Sequence, residues 1–181
     1  MKRIILVVLG VVVLFIPAAY TGDFKPGSDP TGFRGISWGA EIGTLSGFKL
    51  IRHEARFGGL NVYSREGDKL EAWSAPVGVI EYFFLKGKFF RGNILTAGIG
   101  EYRKLRQAVF AEFGVGELNP QIGSGVNQFT WSGKISSMIL QIETATTSGS
   151  LLVSSREMED RMMAEEERSR EEQGLAGRSR D

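Results

Sequence analysis

An α+β fold, with one main amphipathic helix packed on one face of an antiparallel sheet, is what this sequence of 181 residues predicts. Three observations carry that expectation. Tyr102, Leu105, Val109 and Phe113 recur at helical spacing while Glu101, Arg103, Lys104, Arg106 and Glu112 lie mostly on the other side. Elsewhere apolar residues alternate with a period of two, as in Met138, Leu140 and Ile142 against Ser137, Gln141 and Glu143. Tight glycine turns, Lys86-Gly87-Lys88 and Ser132-Gly133, join strands into hairpins.

The elements follow in chain order. Lys2 and Arg3 precede an apolar run, Ile4 to Ile16, and the small residues Ala18 and Ala19. This is the pattern of a secretory signal peptide over residues 1–22. The run is shorter than the roughly 20 residues that span a bilayer comfortably, and a clean Ala-x-Ala site is missing. Two outcomes stay open, cleavage to free a periplasmic or secreted domain, or retention as an inner-membrane anchor with the chain facing the periplasm. The membrane is met only through this segment if it is uncleaved. Residues 23–32, rich in Pro, Gly and Asp, read as a linker.

The folded domain is expected over 33–155. Ser37 to Leu45 reads as a short helix with Ser37 as N-cap, followed by a strand at Phe48–Ile51. Further strands are expected at Asn61–Arg65, Lys69–Trp73, Val77–Leu85 and Phe89–Thr96. The helix Gly100–Phe113 stops at Gly114. Phe129–Trp131, Ile135–Glu143 and Leu151–Ser155 complete the strands. Both halves read as a helix followed by strands, a tandem α-β-β-β layout. In the first hairpin Ile80, Tyr82 and Phe84 share one face and Phe83 and Leu85 the other, so that strand is central and apolar on both sides. Residues 156–181 form a charged tail. They read as a solvated helix with Met158 and Met162 as its apolar pair, fraying into disorder. A partner-binding helix is the alternative.

Composition excludes several functions. The chain has no cysteine, so it carries no lipid-anchor cysteine, disulfide, thiolate metal site or Cys nucleophile. A formal net charge of +1 gives no electrostatic reason to expect nucleic acid. His53 is the single histidine and has no Gly-x-Ser-x-Gly nucleophile turn to serve. Gly98-Ile99-Gly100 opens like a dinucleotide fingerprint, but Arg103 stands where the third glycine belongs. Glu66 and Asp68 flank a turn glycine and read as a solvated hairpin tip. No catalytic, cofactor-binding or metal-binding residues are assigned.

What remains is a candidate interaction surface. Lys86 and Lys88 interleave with Phe83 and Phe90, a mixture that suits a sheet core with snorkelling lysines or a protein contact. Trp38, Trp73 and Trp131 each sit beside Gly or Ser at an element boundary, and partly exposed Trp marks interfaces.

Phe33-Arg34-Gly35-Ile36-Ser37-Trp38-Gly39 resembles the opening of a group of small exported bacterial proteins with no assigned activity, whose mature part begins Phe-Arg-Gly-Ile-x-Trp-Gly. The hairpin from Tyr82 to Gly92, the helix ending Phe113-Gly114 and the turn Trp131-Ser132-Gly133 extend the resemblance over most of 33–155. It implies an envelope location and brings no activity with it. The layout is also similar, as analogy only, to envelope assembly factors and proteinaceous inhibitors with tandem α/β repeats. The expectation is a non-enzymatic envelope protein that binds another protein or a peptide through its sheet face. The alternatives are a small extracytoplasmic hydrolase using His53 and a membrane-tethered structural subunit.

Overall fold

The computed structural model describes residues 22–54, 59–119, 126–143, 146–164 and 167–168. The N-terminal segment 1–21, Gly123-Ser124-Gly125 and the tail beyond residue 168 lie outside the described residues.

The fold is α+β, built on one antiparallel sheet of eight strands. These are β1 (Phe48–Glu54), β2 (Leu60–Arg65), β3 (Val79–Leu85), β4 (Lys88–Thr96), β5 (Glu117–Leu118), β6 (Val126–Ser132), β7 (Ser136–Glu143) and β8 (Gly149–Ser155). Their spatial order is β1-β2-β3-β4-β8-β7-β6-β5, so two meanders meet where β4 pairs with β8. The main helix, α1 (Ile99–Phe113), lies between the meanders in sequence and buries Tyr102, Leu105, Val109 and Phe113, the stripe its periodicity predicts. Gly114, at φ 86, ends it and returns its N–H to the Phe110 carbonyl. The β3–β4 hairpin turns through Lys86 and Gly87, both at positive φ, which matches the strands' right-handed twist.

Two expected elements are replaced by other structure. Ser37–Leu45 holds only a 3-10 turn, Ile42–Thr44, and Ser37 instead pairs with Gly32 in a two-stranded ladder. The backbone there is bonded to β4 and its turn. Gly39 N–H donates to the Phe89 carbonyl, Phe89 N–H to that of Ala40, and Ile42 N–H to that of Gly87. Those bonds use the groups a helix would need. Lys69–Trp73 also fails to return as a sheet strand. Only Glu71–Ala72 pairs, with Ala75–Pro76 in a separate small ladder. The Arg34 guanidinium has taken the carbonyls of Glu71 and Lys69 at 2.7 and 3.1 Å.

One face of the sheet carries the large core. Ile80, Tyr82, Phe84, Phe89, Ile94, Trp131, Met138, Leu140, Leu151 and Val153 are buried under α1 and under Phe33 and Ile36. The segment expected as a linker packs along this core. Lys25 N–H donates to the Phe113 carbonyl, and the Asp29 carboxylate accepts the N–H groups of Ile135 and Ser136 at 2.9 and 3.0 Å. Gly133 is required there, because a Cβ on it would lie 2.3 Å from that carboxylate.

The opposite face holds Leu60, Val62, Phe83, Leu85 and Phe90. The register shift between Phe83 and Phe84 leaves Phe90 as an extra residue, so that Phe90 and the following Arg91 both lie on this face while Phe89 enters the other core. The face is covered by a second helix, α2, over 156–164, whose Met158 and Met162 are buried against it. Arg91 staples the cover in place. It donates to Ser154 Oγ at 2.8 Å and to Glu159 at 2.7 Å, and Glu159 also accepts from Ser137 Oγ at 2.6 Å. The change of composition at Ser154–Arg156 is therefore not a break in packing.

Candidate functional site

Two tight turns meet over the centre of the large core. The ladder Gly32–Phe33 with Ile36–Ser37 turns through Arg34 (φ 51) and Gly35 (φ 81). The ladder Glu71–Ala72 with Ala75–Pro76 turns through Trp73 (φ 47) and Ser74 (φ 65). Positive φ at both turn residues is the geometry of tight two-residue hairpins. Asn, Asp and Gly usually fill such positions. A left-handed backbone costs a bulky residue like tryptophan roughly 1–2 kcal/mol.

Between the turns lies a pocket of about 190 Å³. Ile94 of β4 and Val153 of β8 form its floor, Phe33 and Phe113 contribute walls, and Trp73 stands beside Arg34 at the turns. Phe33 sits on bare backbone, since a Cβ on Gly92 would lie 2.2 Å from its ring. Trp73 is 38% exposed and meets Phe113 edge-on, with ring centroids 5.2 Å apart. Arg34 is the one charged lining residue. Its terminal nitrogens hold the neighbouring turn, and its Nε is buried without a partner among the described residues. Such an unmade hydrogen bond costs about 1–3 kcal/mol.

Beside the pocket, Asp68 accepts two bonds from Arg65, at 2.8 and 2.6 Å, and one from the Tyr82 hydroxyl at 2.6 Å. Arg34 stands 3.8 Å from the same carboxylate. Burial, and then the bond to Asp68, push the Tyr82 phenol well above its ordinary value. The expected solvated tip at Glu66–Asp68 is thus half right: Glu66 is exposed, while Asp68, only partly exposed, is an acceptor that ties three elements together.

The pocket's lining is aromatic and aliphatic apart from Arg34. Its volume falls below the roughly 300–1,000 Å³ that houses drug-sized ligands and cofactors. It matches the scale of about 150 Å³ that encloses a benzene ring.

The seven residues expected to form an interaction surface are not brought together. Phe83, Phe90 and Trp131 are core residues, 5%, 0% and 1% exposed. They cannot meet a partner while their covers are in place. Trp131 donates its indole N–H to the Gly114 carbonyl at 3.1 Å. Trp38 stacks on Phe89 at 5.2 Å and shares its indole N–H between Pro30 O and Ser136 Oγ. Lys86 and Lys88 are exposed at the β3–β4 turn, and Lys88 lies 3.9 Å from the Glu41 carboxylate. Trp73 alone of the seven borders the pocket. Arg34 was visible only as part of a motif. Its signal was the Arg-Gly pair between Phe33 and Ile36, a turn that projects a long cation over its neighbours.

His53 lies on edge strand β1, and its Nδ1 is 2.6 Å from the Asn61 side-chain oxygen. Among the described residues no group of three or more His, Asp or Glu side chains is placed to hold a metal ion. Nor is any described helix long and apolar enough to cross a membrane. Comparison with protein-family models, with curated proteins and with solved structures found no match for this chain.

Proposed function

We propose that this chain is a non-enzymatic, exported protein- or peptide-binding module. It seats one apolar or aromatic side chain of its partner in the pocket between Arg34 and Trp73. The observation that carries the reading is Trp73 itself. A large ring is held half in water, on a backbone conformation that works against it, at the edge of an apolar pocket. Strain retained at an exposed position points to a use. Partly exposed tryptophans beside a pocket are the usual anchors of protein contacts. The contact lies at the turns that rim the large core, and not on the flat of the sheet. The export reading rests on Lys2, Arg3 and the apolar run Ile4 to Ile16. The hydrolase alternative draws no support from His53, whose ring bonds an amide on the sheet edge, away from the pocket.

The test is selection from a displayed random-peptide library on the folded protein, with Trp73→Asn as counter-target. Asn tolerates the left-handed backbone, so the variant keeps the turn and loses only the ring. Enriched peptides should share an aromatic or large aliphatic residue and bind the variant at least about tenfold more weakly, the scale of one lost anchor. No enrichment, or peptides that bind both proteins equally, would rule the pocket out.

A further inference from the structure

We infer that the edge strand β1 pairs with the same strand of a second copy of this chain, with Lys49 opposite Glu54 and Leu50 opposite His53. The inference is independent of the pocket. The two edges of the sheet differ, since β5 offers two residues and β1 seven. Leu50 and Ile51, adjacent on β1, are 51% and 49% exposed. An open edge of this length is a template for another strand.

The bulge selects the register. Pairing with β2 jumps from Leu50–Tyr63 to Arg52–Val62, leaving Ile51 as the extra residue. In a regular strand, residues five apart such as Lys49 and Glu54 point to opposite faces. The extra residue brings them to the same face. Arg52 and Glu54 lie on the α2 side, where Arg52 covers the Phe83 ring and bonds Glu54. Lys49 pairs with Ser64, the neighbour of Tyr63, and Tyr63 packs with Phe48 and Phe84 on the other side. Lys49 therefore also projects toward the α2 side, while Leu50 and His53 share the face of the large core.

A two-fold axis perpendicular to the sheet keeps each face continuous across the new pair, and every contact occurs twice. Lys49 opposite Glu54 is then an opposite-charge cross-strand pair on matching faces. Moving the pairing by one residue in either direction sets residues from opposite faces across from each other. Moving it by two in one direction places Lys49 opposite Arg52, a like-charge pair, and in the other direction sets Arg52 opposite His53, residues of opposite faces. Among these registers, the proposed one sets Lys49 and Glu54 across from each other on a shared face.

The chain has no cysteine of its own, which makes crosslinking clean. Full-length chains carrying Leu50→Cys and His53→Cys singly are mixed and oxidised. The mixture should yield a disulfide-linked dimer, and neither variant alone should. Both positions are exposed or edge-placed, so folding is kept. Lys49→Glu in both chains should lower the crosslinked fraction about fivefold, as two like-charge pairs replace two favourable ones. The inference is overturned if the mixture gives no dimer, if single variants crosslink as well as the mixture, or if Lys49→Glu changes nothing.

Discussion

The two faces of this sheet are closed by different physics. On one face rings pack on rings. Phe48, Tyr82, Phe84, Phe89 and Trp38 form a chain of aromatic contacts, and an N-terminal strap, residues 22–31, is bonded along the same core. Backbone hydrogen bonds from that strap close it further. On the other face two methionines cover a small apolar patch, and a few polar contacts, the Arg91–Glu159 ion pair and the bonds of Ser137 and Arg156 among them, hold the cover down. The first face is continuous with the domain's core and should fail only when the whole domain fails. The second depends on a single helix at the end of the described chain and can open by itself. Both faces of the sheet carry a buried core, so the proposed contacts fall to the turns and the edge.

Replacing Trp131 by Ala should unsettle the aromatic face. It removes a fully buried ring and its bond to Gly114. A loss of about 3–5 kcal/mol in global stability is expected from denaturant unfolding. Replacing Glu159 by Ala should act locally. It strips Arg91 and Ser137 of their shared acceptor at a cost of roughly 2 kcal/mol. Amide exchange over 156–164 should accelerate while β3 and β4 stay protected. If both regions speed up together, the two faces are one cooperative unit.

A smaller effect should appear with pH. The phenol of Tyr82 is raised in the folded state by burial and by Asp68. The folded form therefore holds its proton more tightly than the unfolded chain. Stability from this group is fully present below the unfolded value of about 10 and falls as pH rises above it. Tyr102, raised by burial, adds to the same trend. Tyr82→Phe should flatten the alkaline decline and cost about 1 kcal/mol at neutral pH, with Asp68 still held by Arg65. An unchanged alkaline slope in that variant would remove Tyr82 as its source.

Much of the fold was legible because local and tertiary demands agree. The α1 stripe, the stop at Gly114 and the Gly87 turn follow from periodicity and glycine alone. What was illegible was decided at long range. Nothing near Ser37 says that Gly39 and Ile42 will bond to Phe89 and Gly87 in place of forming a helix. Nothing near Lys69 says that Arg34 will claim its carbonyl. The opening Phe33 to Gly39 is held by packing, with Phe33 on Gly92, the Arg34-Gly35 turn and Trp38 on Phe89. The candidate surface was misread because aromatic residues in an alternating strand look alike whether the second face is open or covered. Two methionines in a charged tail were the only trace of the cover.

The proposed function has partners met at Trp73. It is tested most directly by recording the indole N–H resonances of the three tryptophans while a library-selected peptide is added. The account predicts that the Trp73 resonance shifts with saturation, while Trp38 and Trp131, bonded to Pro30 and Gly114, stay in place. A peptide that saturates the protein and leaves Trp73 unmoved would contradict it.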